Sequence, residues 1–192
     1  MKKIIEYLAK IIIKVTIVVN VARRIYNRLH CYSFAIQFKS CGNRFRIRSN
    51  SIILSPENIV IGNNFSSMGQ LYLYGNNGEI IIGDNVSVNT NVQIGASGGR
   101  ILIGNNVLIG PNVVIRSANH GFKASELILH QPHSSGVICI EDDVWIASNA
   151  VITSNVTLAK GTVVAAGAVI TKSTTPYSIV GGIPARKISQ RN

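Results

Sequence analysis

The sequence predicts a parallel β-solenoid preceded by one basic helix, and three observations carry that prediction. Over residues 138–175 an aliphatic side chain returns at every sixth position: Ile140, Ile146, Ile152, Leu158, Val164 and Ile170. Four residues after each stands a second residue, small or branched: Val144, Ala150, Val156, Thr162, Ala168 and Thr174. Such a period belongs neither to a helix nor to a half-buried strand. Second, one motif recurs as IVIGNNF (59–65), IIIGDNV (80–86), ILIGNNV (101–107) and ICIEDDV (138–144). Third, eleven of the 19 Lys and Arg residues lie at or before Arg48, against a single acid, Glu6.

A six-residue period asks for a short extended segment with its branched side chain turned inward, then a tight corner. Three segments close a triangular coil of about eighteen residues, and coils stack at strand spacing, about 4.8 Å. Branched aliphatics suit such a wall because they are stiff and pack well on a pleated surface. Asn, Gly and Ser at the remaining places suit corners, some of which need positive φ. The spacing leaves the hand of the coil open.

Along the chain, residues 1–46 form the first segment. Ile4, Ile5, Leu8, Ile11, Ile12, Val15, Val18, Val19, Ala22, Ile25 and Leu29 define one apolar helix face, with Lys3, Lys10, Lys14, Arg24 and Arg28 largely off it. Lys14 interrupts the most apolar part, so no uncharged run reaches the length of a membrane span. A secretory signal fits less well, because no small-residue cleavage site follows a clean apolar core. Two roles stay open for residues 1–30: contact with an anionic membrane surface, or capping the solenoid and joining subunits.

The solenoid is expected over 47–175. The first three motifs are 21 residues apart, one coil plus three extra residues in the Gly-rich corners GNNGE (75–79) and GASGG (95–99). The third and fourth are 37 apart, read as two coils plus one residue, with 116–137 breaking the pattern as an excursion loop that holds three of the four histidines. Irregular loops on a rigid repeat are where sites are commonly built. Residues 176–192 form a Pro-marked tail expected to leave the coil and run back along it.

Beyond Arg48 the chain has eight bases and seven acids, so the basic balance is a local feature and no nucleic-acid partner is expected. Cys31, Cys41 and Cys139 have neither metal nor redox spacing and fit a reducing compartment.

The hexapeptide repeats, the segment IEDDVWIASNAVI, the segment AAGAVITK and the tail GGIPARK resemble the left-handed β-helix acyltransferases, most nearly the maltose, galactoside and polysaccharide O-acetyltransferases. The resemblance covers Ile47 to the C-terminus and not the helix. It implies an all-β, left-handed parallel β-helix, an exception to the right-handed crossover rule. It also implies a homotrimer with acetyl-CoA between neighbouring prisms and no metal.

Acetyl transfer to a sugar hydroxyl needs one base for the hydroxyl proton and one donor for the developing oxyanion. Histidine suits the first task because it titrates near neutral pH. By resemblance, His120 in SANHGF matches the catalytic histidine. Ser148 and Ala166 match backbone contacts to the pantetheine arm, and Thr171 follows in the next repeat. Lys172 and Arg186 are assigned to the coenzyme phosphates, and Trp145 to a wall of the cleft beside the histidine. Asn89 matches an asparagine on the acceptor sugar, or else serves as a corner residue. His130 and His133 are expected to be solvated. A zinc site built from the three loop histidines is a minor alternative, since hydratases of this fold draw their ligands from separate coils.

Three departures count against free maltose or galactoside as acceptor. No acid stands near Ser97, Glu141 and Ala147 replace the usual glycine, and the N-terminal segment is unlike the cap of soluble sugar acetyltransferases. With the basic helix, they point to a saccharide precursor of capsule, O-antigen or exopolysaccharide, lipid-linked at the cytoplasmic membrane face. The alternatives are an N-acetyltransferase for an amino sugar or antibiotic, a non-catalytic scaffold, and a zinc hydratase.

Overall fold

The computed structural model describes residues 2–48 and 50–192, with side chains from Ile5 onward. The side chains of Lys3 and Ile4, assigned above to the two helix faces, lie outside the described residues. After one long helix, Lys2–Ala35, the chain winds into a left-handed parallel β-helix of six coils.

The first face stacks Ser40–Cys41, Ile59–Ile61, Glu79–Ile82, Arg100–Ile103, Val137–Ile140 and Val156–Leu158. The second stacks Ser66–Ser67, Ser87–Val88, Leu108–Ile109, Trp145–Ile146, Val163–Val164 and Ser178–Gly182. The third stacks Ile52–Leu54, Leu71–Tyr74, Val92–Gly95, Val114–Arg116, Val151–Ile152 and Val169–Ile170. All neighbours within a face are parallel until the tail, where Ala185–Gln190 pairs antiparallel with Ser178–Gly182.

The six-residue rhythm is the inward row. Ile140, Ile146, Ile152, Leu158, Val164 and Ile170 are each no more than 1% exposed, as are Val144, Ala150, Val156, Thr162 and Ala168. Burying one such branched side chain contributes about 1.5–3 kcal/mol, so the rows provide most of the drive to stack. Thr174 ends the rhythm differently. It is half-buried and its hydroxyl meets that of Thr162 at 2.8 Å, closing the C-terminal end of the core. At the other end Phe38, Phe45 and Phe65 form an aromatic plug, with ring centroids 5.5 and 5.7 Å apart.

Corners decide the shape. Along the first-to-second edge Asn64, Asn85, Asn106 and Asp143 hold φ of 58–60°, and Gly161 takes the position at 71°. Along the second-to-third edge Asn91, Asn112, Asn149 and Gly167 hold 56–70°. Asparagine tolerates the left-handed region and can hydrogen-bond locally. Here it does so with its counterpart one coil on: Asn91 donates to Asn112 at 2.9 Å, and Asn112 to Asn149 at 3.0 Å. The glycine at the fourth place of the first three motifs answers a different need. A Cβ on Gly62 would lie 2.6 Å from the carbonyl of Gly83 in the next coil.

Three expectations change. Ile101 pairs directly with Ile138, so the 37-residue spacing is one coil carrying a large insertion, not two coils plus a residue. Integer arithmetic on eighteen could not separate these cases, because a loop of any length can leave a corner. The first coil opens at Ser40, whose strand pairs with Val60 and Ile61, ahead of the Ile47 boundary; its core residue is aromatic, Phe38, and escapes an aliphatic search. The tail also adds a sixth parallel strand, Ser178–Gly182, before it turns back.

The helix touches the solenoid only near its C-terminal end. Cys31 and Phe34 pack on the core, and the Cys31 sulfur lies 3.4 Å from both the amide and the carbonyl of Ile47. From Ile5 to Tyr26 every residue is exposed.

Replacing Asn112 should expose the two roles of a corner. Asn112→Gly removes two ladder hydrogen bonds but keeps the backbone relaxed, whereas Asn112→Ala adds a left-handed penalty of about 1–2 kcal/mol. Thermal unfolding should therefore rank wild type above Gly above Ala; an Ala variant equal to Gly would show that the corner conformation carries no cost.

Candidate functional site

The insertion between the third and fourth motifs is an ordered hairpin rooted at the third-to-first edge. Its root is Ser117, fully buried, whose hydroxyl donates to the Ala96 carbonyl at 2.6 Å and whose carbonyl accepts from the Gly136 amide and the Ser154 hydroxyl, both at 2.8 Å. From there Ala118–His120 pairs antiparallel with His133–Ser135, and His120 stands opposite His133.

Their rings are 4.4 Å apart, centroid to centroid, and tilted 51°. His133 is exposed, as a solvated residue would be, and also packs against His120; the hairpin register that sets this contact leaves no periodic trace in sequence. His130 is exposed at the end of a short turn, Ile128–His130. Nδ1 of His120 lies 3.2 Å from the Gly121 carbonyl. A carbonyl only accepts, so in the neutral ring this bond selects the tautomer with the proton on Nδ1 and the lone pair on Nε2.

Gln131 went unnoticed in the sequence. It is 5% exposed, accepts from the Lys123 amide at 2.7 Å and donates to the Lys123 and Glu126 carbonyls at 2.8 and 2.9 Å. This clamp orders the loop beyond the histidines. Its tip leaves Phe122, Leu127, Ile128 and Leu129 59–83% exposed, far more apolar surface than a solvated loop needs.

The second-to-third edge carries the other half of the site. Here five corners can be compared directly, and at the first, Gly69, the amide finds no acceptor among the described residues. The amide of Thr90 is capped by the Asn89 side chain at 2.8 Å, and the equivalent Pro111 has no N–H. At Ser148 and Ala166, the same position one and two coils further on, the amide finds no acceptor among the described residues. These two free donors on a rigid edge suit the carbonyl oxygens of a pantetheine arm. Gly167 follows with open space where a Cβ would stand.

Asn89 therefore caps its own corner and is not a rung of the asparagine ladder, which runs through Asn91. Trp145 stands on the second face, half exposed, in register with Leu108 and Val163. Arg186 is exposed on the returning strand beside that face, opposite Gly181. Thr171 and Lys172 are exposed at the third-to-first edge, with His120.

Within one chain, then, Asn89, Trp145, Ser148, Ala166 and Arg186 share one side of the prism, while His120, Thr171 and Lys172 sit on the edge opposite the second face. The structure does not bring Trp145 beside the His120 of its own chain. Burial pushes the thiols of Cys41 and Cys139 up, in Cys139 with help from the Glu141 charge, so neither is a ready nucleophile. No group of three His, Cys, Asp or Glu side chains converges among the described residues.

Comparison with known proteins agrees with this architecture. Residues 140–172 match the family model described as bacterial transferase hexapeptide (six repeats). The hexapeptide-repeat containing acetyltransferase VCA0836 of Vibrio cholerae is 31% identical, with a TM-score of 0.59 over 83% of this chain and 78% of that one. The same protein has a structure with acetyl-coenzyme A. The N-acyltransferase AntD of Bacillus cereus, in complex with dTDP and 3-hydroxybutyryl-CoA, superposes with a TM-score of 0.69 over 82% and 85% at 22% identity, a likeness of fold. A chloramphenicol acetyltransferase of Agrobacterium fabrum is 44% identical over 57 residues, 30% of this chain. The chain spans about a quarter of the length of such curated relatives. It belongs to the hexapeptide-repeat acyltransferase family.

Gln131→Leu should leave the solenoid's melting temperature nearly unchanged while loosening the hairpin, because the Lys123 amide and two carbonyls lose partners worth about 1–3 kcal/mol each. Limited proteolysis within 121–136 should accelerate. Unchanged cleavage would mean that Gln131 is not what orders the loop.

Proposed function

We propose that this chain is an acetyl-CoA-dependent acetyltransferase acting on a sugar hydroxyl, in a homotrimer where His120 of one copy faces Trp145, Ser148 and Ala166 of the next. The observation that carries this reading is the pair of open amides at Ser148 and Ala166, on adjacent coils of one rigid edge in the C-terminal half of the prism with Trp145. The separation of the two half-sites on one prism supports completion by a second copy, and the apolar hairpin tip offers surface for that contact.

The donor supplies a carbonyl already activated as a thioester. Nε2 of His120 takes the hydroxyl proton as the oxygen attacks, and Nδ1–H bonded to Gly121 holds the ring in that tautomer. The Ser148 amide donates to the charge developing on the carbonyl oxygen. When the carbon–sulfur bond breaks, His120 returns the proton to the leaving sulfur, so no acyl group is carried on the protein. The amides of Ser148 and Ala166 hold the pantetheine arm beneath Trp145. Thr171, Lys172 and Arg186 meet the phosphates, and Asn89, whose Nδ2 is uncommitted, the acceptor.

A second reading, transfer to an amine of a sugar, draws support from similar proteins that are N-acyltransferases, among them AntD and a tetrahydropyridine-dicarboxylate N-acetyltransferase of Ligilactobacillus salivarius, 48% identical over 58 residues. A hydroxyl needs a base to attack where a neutral amine does not, and the anchored His120 favours the hydroxyl. Alkaline treatment of the product separates the two: an ester releases acetate and an amide keeps it.

His120→Ala should lower turnover by roughly 10²–10⁴-fold with acetyl-CoA binding retained. Ser148→Pro, which copies Pro111 at the equivalent corner, should cost roughly 10²–10³-fold. Mixing the two inactive variants and allowing subunits to exchange should recover part of the activity. Activity that survives His120→Ala, or mixtures that stay dead, would overturn the shared site.

The helix supports placing this reaction at the cytoplasmic face of a membrane, on lipid-linked precursors. No helix among the described residues is long and apolar enough to cross a bilayer. The exposed stripe through Leu8, Ile11, Val15, Val18 and Ile25, with seven bases and one acid along Lys2–Ala35, fits an anionic lipid surface instead. The full chain should sediment with phosphatidylglycerol vesicles and not with phosphatidylcholine alone, and Ile11→Glu with Val18→Glu should abolish it. Equal binding to both vesicle types, or to neither, would remove the membrane from this account.

A further inference from the structure

We propose that the cleft between the helix and the first coils is a binding site for the phosphates of a saccharide (di)phosphate, and that this names the acceptor class. The inference rests on the acetyltransferase reading above and adds to it.

The cleft is large, about 920 Å³, and four arginines line it: Arg28 from the helix, and Arg44, Arg46 and Arg48 from the first coil. No carboxylate lines it. The ion pairs among the described residues use Lys39, Arg100 and Arg191, so none of the four is neutralised. Arg48 spends only its Nε, on the Met68 carbonyl at 3.3 Å. Four like charges around one recess raise its potential and repel one another until an anion enters. A guanidinium matches two phosphate oxygens at once, which makes arginine the residue suited to such an anion.

The floor of the cleft suits the rest of such a ligand. Arg46, Ser66 and Ser87 stack in one outward row on the second face, in register from coil to coil. The two hydroxyls, 3.4 Å apart, can each accept from or donate to sugar or phosphate oxygens. Tyr32 and Met68, 67% and 65% exposed at its rim, offer apolar surface to a base or a prenyl chain.

Position links the cleft to the chemistry. The same row continues through Leu108 to Trp145, four coil steps from Arg46 and about 19 Å away at strand spacing. The phosphates would sit at the N-terminal end of the face and the acetyl donor at the C-terminal end, with the sugar between them. A nucleic acid or acidic peptide would need the basic surface to continue, and beyond Arg48 the chain is nearly neutral.

The test titrates the full-length chain with inorganic pyrophosphate, comparing wild type with Arg44→Asn plus Arg46→Gln. Asparagine keeps the left-handed conformation that Arg44 holds at φ 59°. Both side chains are exposed, so folding should be unaffected, and intact acetyl-CoA binding serves as the control. Pyrophosphate should bind, weaken with added salt, and lose at least tenfold in affinity in the double variant. Two further arms locate the source: uridine diphosphate, and a polyprenyl diphosphate in phosphatidylcholine vesicles against the same vesicles without it. Whichever binds in an arginine-dependent way identifies a nucleotide-linked or a lipid-linked acceptor. No pyrophosphate binding, or equal binding by both proteins, overturns the proposal while leaving the acetyl-CoA half of the site standing.

Discussion

Every part of this molecule depends on keeping successive coils in register. The backbone of each strand is satisfied only by the strands above and below it, and the inward aliphatic rows close only when each coil repeats the last. That demand is strict along the faces and lenient at the corners. The chain adds residues only where leaving the stack costs no ladder bond. Four enlargements, at 55–58, 75–78, 96–99 and 117–136, all fall on the third-to-first edge, and the largest carries His120.

The same constraint explains how the site is divided. A rigid corner is a good place to present an amide, because its neighbours in the coil hold it still. In two middle coils that amide is used or deleted, by Asn89 and by Pro111; in the two coils that follow it is left open at Ser148 and Ala166, as it is at Gly69 in the coil before. Proton transfer asks for something else, a side chain whose tautomer is fixed and which can be brought to a substrate from outside. The hairpin meets that need, bolted at its root by Ser117 and clamped further out by Gln131. On the proposed reading, a donor cradle on one edge and a base on another suit a prism that works beside copies of itself.

Charge is distributed with equal economy. The solenoid beyond the first coil is nearly neutral, and its few ion pairs are surface contacts, such as Glu79 between Lys39 and Arg100. Hydrogen bonds from those two partners, that from Arg100 foremost, hold the Glu79 carboxyl below its ordinary range. The basic residues are concentrated where helix and first coil meet, around a recess with nothing to neutralise them. The helix presents its apolar stripe to the surroundings and anchors by its last turns alone, so basic recess and apolar stripe remain separate surfaces.

Sequence alone determined the coil. Inward rows such as Ile140 to Ile170 follow from a period that only a triangular turn satisfies, and Asn at positive φ follows from corners that few other residues tolerate. His120, Ser148 and Ala166 were singled out through the resemblance to the hexapeptide-repeat acyltransferases, not through the period itself. What sequence left open concerned contacts between segments that share no period. The 37-residue spacing resolved into one coil only when Ile101 was seen beside Ile138. The first coil hid behind Phe38, which breaks the aliphatic rule. His133 against His120, the Gln131 clamp and the convergence of Arg28 on Arg44, Arg46 and Arg48 all depend on where a hairpin folds back and a helix docks. Such contacts are set by packing in three dimensions, and a one-dimensional rhythm carries no record of them.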